Sequence, residues 1–330
     1  MTKQRLVYLS SIITLAILST QPQPCMATHA YDSPETTLAQ GQNFSLTLRG
    51  SAGLLSGEAH ELVYDYDMGS RHKASELIWD LKSLYMVGGV VSANICNWFD
   101  INLGISTAIN EGSGGMVDYD WFINTPGAPS PGDWTDRSLS DVKVTTAMIF
   151  DLNASLKLFS WEKINFKGIA GFKQDTWKWT DSGQGYVYSI HSFRDTVGSF
   201  GGRNVINYEQ TFMIPYIGIG ANRKAGSFDM GAYLLLSAAV SAEDKDFHVL
   251  RELHFKETFS GGNYIALGLN ATYHISPALF VSAAIDYQSI PEITGDMELT
   301  GPSGETLNDI ATAGISHSST MLSGSIGYNF

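Results

Sequence analysis

Beyond residue 30 this sequence holds a single cysteine, Cys96, and so cannot close an internal disulfide there. It also lacks any run of about 18 apolar residues after that point, which excludes a helical membrane span in that region. Charge is scarce: 16% of residues are Asp, Glu, Lys or Arg, against roughly 25% in an ordinary soluble domain. Basic residues are scarcer than acidic ones, 20 against 33. Two of the 20, Lys3 and Arg5, fall before residue 31, which leaves 18 against 33 and a net charge of −15. That balance argues against nucleic acid, whose phosphates demand Lys and Arg, and suits cationic partners. No internal repeat is present.

The first 30 residues have a different character. Lys3 and Arg5 precede an apolar stretch, Leu6 to Leu18, broken only by Ser10, Ser11 and Thr14, and the small residues Ala27 and Ala30 follow. This is the layout of a secretory signal peptide, cleaved near 27–30 and too short to span a bilayer. Cys25 falls inside it. Residues 31–330 are then one exported domain that must hold together without a disulfide, which a closed barrel does by pairing every strand edge.

Alternation of period two recurs along that domain. Leu77, Trp79, Leu81, Tyr85, Val87 and Val91 share one parity, and Glu76, Asp80 and Lys82 the other. Ile265, Leu267, Leu269, Ala271 and Tyr273 repeat the pattern, as do Leu279, Val281, Ala283, Ile285 and Tyr287, and the chain closes on Leu322, Ile326, Tyr328 and Phe330. Apolar-out, polar-in strands ending in an aromatic residue predict a transmembrane barrel. Short connectors fall at Asn97-Trp98, 159–163, 222–226 and Ser276-Pro277, and long polar segments at 66–73, 122–139, 181–204, 247–261 and 289–313. Four short periplasmic turns alternating with five long extracellular loops give an all-β antiparallel barrel of about ten strands. Trp134, Trp161, Trp177 and Trp179 read as interfacial aromatics. A soluble β-sandwich is the plainer alternative, but the leader, the strand length and Phe330 weigh against it.

Two acidic clusters carry the candidate chemistry. Asp118 and Asp120 lie in Gly115-Met116-Val117-Asp118-Tyr119-Asp120-Trp121, and Asp244, Asp246 and His248 in Asp244-Lys245-Asp246-Phe247-His248. Residues two apart in a strand share a face, so each cluster presents its acids together. A His beside a carboxylate can act as a general base, and a close carboxylate pair can hold a water and share a proton. The parity of Asp246 includes Leu236 and Val240, which ought to face lipid; either a β-bulge resets the register or the site stands above the bilayer. Cys96 is expected to pack at a turn. His60, His72 and His191 are scattered without clustered partners, so no metal site is implied.

In order and spacing, several segments resemble the omptin family of bacterial outer-membrane proteases. They are Leu55-Ser56-Gly57 with Glu61 and Val63-Tyr64, Met116 to Trp121, and Trp134-Thr135-Asp136. Phe193-Arg194-Asp195, Pro215-Tyr216-Ile217-Gly218 and Asp244-x-Asp246-x-His248 continue the series. The resemblance implies an endopeptidase facing the extracellular side, with Asp118 and Asp120 as the aspartate pair and Asp246 with His248 as the second couple. Water held between the couples would attack the scissile carbonyl with no covalent intermediate. Glu61 and Asp244 would receive Arg or Lys before the cut bond, and Asp136 would bind substrate beyond it. Implied partners are cationic peptides, surface loops of proteins and outer-membrane lipid; no cofactor is implied apart from lipopolysaccharide as an activator, and the barrel is expected to be a monomer. The sequence departs from the family in two places. Arg137-Ser138 follows Asp136 where a His-Pro pair is usual, and Phe172, Gln174, Thr176 and Thr211 stand where the lipopolysaccharide site has a Tyr, a Glu and two Arg. A surface adhesin on the same barrel is the competing reading. A lipid hydrolase lacks an inward Ser–His couple, and about ten strands leave little room for a pore.

Overall fold

The structure, a computed structural model, describes residues 44–67, 70–96, 98–123, 125–128, 130 and 132–330. The expected signal peptide, with Lys3, Arg5, Cys25, Ala27 and Ala30, lies outside the described residues, as does Asn97. Among the described residues there is no helix; the elements are strands β1 (Phe44–Asp67), β2 (Ser70–Ile95), β3 (Phe99–Ala108), β4 (Gly115–Asp120), β5 (Asp136–Trp161) and β6 (Ile164–Tyr188). They continue as β7 (Thr196–Ser199), β8 (Ile206–Ala225), β9 (Phe228–His248), β10 (Leu253–His274), β11 (Leu279–Thr300) and β12 (Thr306–Asn329). All pairing is antiparallel. β3 and β4 lie end to end between β2 and β5 as one interrupted strand, and β7 is a short arm on β6. The ladder then runs β5, β6, β8, β9, β10, β11, β12 and returns to β1, so that among the described residues ten strands form a ring, each paired on both sides.

Connections at 96–98, 162–163, 226–227 and 275–278 close one end of the ring, and those at 68–69, 121–135, 189–205, 249–252 and 301–305 the other. Most of the polar segments expected as loops are therefore strand. Their polarity reports water on both faces, not irregular backbone. β2 and β5 run for 26 residues and β8 for 20, whereas crossing a bilayer takes about 9–11. Outward side chains divide accordingly. Toward the short turns, Leu48, Val91, Leu103, Leu156, Ile219, Met230, Leu269, Ile285 and Ile326 are exposed on the outer face. Toward the long connections the same face carries ion pairs instead, Lys143–Glu111, Lys178–Glu209 and Lys245–Glu243, at 2.7, 2.8 and 2.9 Å. The lower half is the lipid belt, and the upper half stands in water as a rigid wall.

Bulges reconcile the alternation with this division. A three-residue step in β2, Leu81 to Leu84, opposes the two-residue step Leu55 to Gly57 in β1, and Ser83 takes a left-handed backbone with φ 55°. The face therefore flips. Leu77, Trp79 and Leu81, expected beside Tyr85 and Val91 on the lipid side, are buried inside the barrel, while Tyr85 and Val91 do face out. β9 carries one extra residue between Leu236 and Ser241 relative to β8, and between Ser237 and Val240 relative to β10. Leu236 is thus exposed, Val240 buried, and Asp244 and Asp246 point inward; both of the offered explanations hold, since the clusters also stand above the apolar belt. Trp177 and Trp179 are corrected too. Both are buried in the lumen, Trp177 stacked on His317 with ring centroids 5.0 Å apart. Trp161 is exposed beside a short turn, as an interfacial ring should be.

Inside the belt, polar residues cross-link the lumen. Lys173 binds Asp175 at 2.9 Å, Gln288 donates to Asp175 at 2.9 Å and to Ser319 at 3.1 Å, and Tyr216 donates to Asp151 at 2.8 Å. These bonds give the site above them a fixed floor.

Candidate functional site

Antiparallel register brings the acidic residues to one mouth. Glu61, Leu77 and Asp118 form a lateral row across β1, β2 and β4, and Ser75, Asp120 and Asp136 the next row across β2, β4 and β5. Halfway round the ring, Gln210, Asp244 and Glu257 align across β8, β9 and β10, above them Tyr208, Asp246 and Phe255, then Ile206, His248 and Leu253. The two walls touch. Gln210 Nε2 donates to the His60 carbonyl across the lumen at 3.3 Å, and Trp179 Nε1 donates to the Asp80 carbonyl at 3.2 Å. Trp79 stacks on Tyr208 at 5.2 Å and packs against Trp179 at 6.0 Å, three buried rings that bridge the walls.

One couple is Asp246 with His248. His248 Nε2 lies 2.5 Å from Asp246 Oδ2, and its Nδ1 meets the guanidinium of Arg251 from the 249–252 turn. A proton on Nε2 satisfies both neighbours and leaves Nδ1 the basic nitrogen. Phe255 packs against the imidazole at 5.0 Å. The other couple is Asp118 with Asp120. Ser75 and Ser138 donate to the two oxygens of Asp118 at 3.3 and 3.5 Å. Burial pushes Asp118 up to about 6, Ser75 and Arg251 opposing; burial, and then the Asp118 charge, push Asp120 up to about 8. The pair thus carries one proton over a broad neutral range.

Below the couples lie Glu61, Asp244 and Glu257, exposed by 3%, 1% and 1%. Tyr208 donates its hydroxyl to Asp244 at 2.9 Å. Burial is the main cause that pushes Asp244 up to about 7 and raises Glu61, Asp246 and Glu257 well above the ordinary carboxylate range. Mutual repulsion adds to it, so these carboxyls cannot all ionise unless a cation joins them.

Asp136, laterally opposite Asp120, is buried, and its Oδ1 accepts the Ser189 N–H at 3.0 Å. It ties the loop beyond β6 to the rim of the mouth, with Oδ2 lacking a protein donor. Phe172, Gln174 and Thr176 lie on β6 and Thr211 opposite Thr176 on β8, the two threonine hydroxyls 3.5 Å apart and no guanidinium among them. Sequence reasoning missed Glu257, Gln210, Tyr208 and Arg251. A signal existed for the first two: Glu257 shares the parity of Phe255 and Phe259, and Gln210 that of Tyr208 and Phe212, each a polar residue on an otherwise aromatic face.

Comparison with known proteins agrees along nearly the whole domain. The profile of the Omptin family matches residues 42–330. A plasminogen activator of Yersinia pestis is 31% identical over 290 residues, spanning 87% of this chain and 90% of that protein. The outer membrane protease OmpP of Escherichia coli is 29% identical, spanning 80% and 87% of the two chains. The crystal structure of the outer membrane protease OmpT from Escherichia coli superposes with a TM-score of 0.80 at 26% identity, covering 87% of this chain and 97% of that one.

Proposed function

The chain belongs to the omptin family of bacterial outer-membrane proteases, and on that premise we propose that it is an endopeptidase that cuts next to Arg or Lys with water activated between two acidic couples. The observation that carries this reading is the convergence of Asp118, Asp120, Asp246 and His248 in one mouth above the lipid belt. The Asp118–Asp120 pair, holding a single proton, orients the water. His248 takes a proton from it at Nδ1 as the oxygen attacks the scissile carbonyl, and Arg251 withdraws from that nitrogen when substrate enters. Asp246 stabilises the resulting imidazolium. The tetrahedral intermediate then expels the amine, which receives the proton from His248. Glu61 and Asp244 bind the basic side chain before the cut bond, where buried carboxylates select cations strongly. Cationic peptides and exposed protein loops are the substrates this mouth would draw in.

The test uses the chain from residue 31, folded in detergent micelles, with and without lipopolysaccharide, and a quenched fluorescent peptide containing Arg-Arg. Cleavage by the parent and a loss of roughly 100-fold or more in Asp118→Ala and His248→Ala is expected, with all three showing heat-modifiable gel mobility. No cleavage by a folded parent would return the adhesin reading, and near-parental turnover by His248→Ala would sink the mechanism.

A further inference from the structure

Glu257 stands across from Asp244 in the β9–β10 ladder and is 1% exposed, yet neither of its carboxylate oxygens has a protein donor. Gln210 stands across from Asp244 on the other side, in β8, and is fully buried. Its orientation is fixed by chemistry: Tyr208 spends its own hydrogen on Asp244, so its hydroxyl oxygen must accept from Gln210 Nε2, at 2.8 Å, and the His60 carbonyl can only accept. Gln210 Oε1 is therefore an acceptor, and it too lacks a donor, as does Oε2 of Glu61. With Glu61 and Glu257 ionised, four acceptor atoms on β1, β8 and β10 around Asp244 lack a donor, where unmet polar atoms are costly, whereas a protonated Glu257 donates to Asp244.

An ammonium offers three hydrogens, a guanidinium five in a rigid planar fork. Resting on the reading of Glu61 and Asp244 as the floor for a basic side chain, we propose that Glu257 and Gln210 complete that floor as a guanidinium site, so that this protease prefers Arg to Lys before the cut bond, with Glu257 setting the preference. Lysine would leave at least one buried acceptor without a donor, which corresponds to roughly tenfold or more in kcat/KM. Proton movement follows from the same arrangement. Glu257 faces Glu61 from β1, Tyr208 from β8, and Asp244 and Asp246 from β9, with Gln210 in the same lateral row beyond Asp244. Without a cation these acids keep protons, and a guanidinium that enters displaces them.

The experiment pairs two measurements on the full mature chain in micelles. In the first, parent and Glu257→Gln receive peptides that differ only in Arg or Lys before the cut. The parent should favour Arg by tenfold or more, and the ratio should fall several-fold in Glu257→Gln; an unchanged ratio overturns the proposal. In the second, binding of agmatine, a guanidinium, and cadaverine, an ammonium, is followed by calorimetry in two buffers of different ionisation heat. Agmatine should bind more tightly and release more protons from the parent than from Glu257→Gln, and equal affinity for the two amines overturns the proposal without reference to catalysis. A parent that cuts neither peptide while binding agmatine selectively would refute the proposed function and leave the guanidinium site standing. Should Glu257→Gln fail to fold, Glu257→Asp, which keeps the charge but withdraws it, replaces it in both arms.

Discussion

Neutralising Asp244 should stabilise the protein, and more so as the pH rises. Its carboxyl is 1% exposed and pushed by burial from 3.8 up to about 7. Because the folded value lies above the unfolded one, the stability this group contributes is fully present below about pH 3.8 and is lost as pH rises through about 7. About 3 pH units at about 1.4 kcal/mol each make the ionised group cost the fold about 4 kcal/mol at pH 8. Between pH 5 and pH 8 about 2 of those units are crossed, which makes about 2–3 kcal/mol. Asp244→Asn keeps the shape and a carbonyl oxygen to accept the Tyr208 hydroxyl, so it removes the charge and little else. Its advantage over the parent should therefore grow by about 2–3 kcal/mol from pH 5 to pH 8. Reversible urea unfolding in micelles, followed by tryptophan fluorescence, reads the difference at each pH. An advantage that is the same at both, or a variant weaker than the parent at pH 8, would refute the assignment of buried, mutually repelling acids.

Two further outcomes are expected. The acid limb of kcat/KM should sit near pH 6, where Asp118 ionises, and Arg251→Gln, which removes a cation that favours the ionised forms of Asp118, Asp120 and Asp246, should move it upward; a limb that stays put or moves down would separate Arg251 from the pair. Trp79→Ala should cost about 3–5 kcal/mol, because the ring is fully buried between Tyr208 and Trp179, and should lower kcat through the loosened Tyr208; an unfolding midpoint within error of the parent would mean that these rings do not bridge the walls.

The barrel was legible where composition reports environment. Short connectors and long polar segments alternate in the sequence, and the ring has the corresponding four close turns and five connections at the other end. What escaped was the height at which environment changes. Leu77 to Val91 read as one lipid-facing stripe because alternation carries no mark of the extra residue at Ser83, and nothing in Leu236 to Val240 announces the bulge of β9. Trp177 and Trp179 were misassigned for the same reason: an aromatic residue fits an interface and a lumen equally, and only the register decides. Asp118, Asp120, Asp246 and His248 stood out by their spacing, but Glu257 and Gln210 are isolated in sequence and acquire neighbours only through lateral pairing with Asp244.

The unbroken ring has a consequence for turnover. Among the described residues its walls are laced by antiparallel hydrogen bonds, which resist a hinge closure of the cleft over what enters it. In the proposed protease Arg251 swings aside, and main-chain adaptation falls to the substrate. A segment is cut when it can be drawn out as a slack thread long enough to dip below the rim, and a stiff one is spared whatever its residues. Susceptibility of a target protein should then follow how often the segment to be cut comes loose, which would make this protease a gauge of local unfolding in the proteins that drift past the cell.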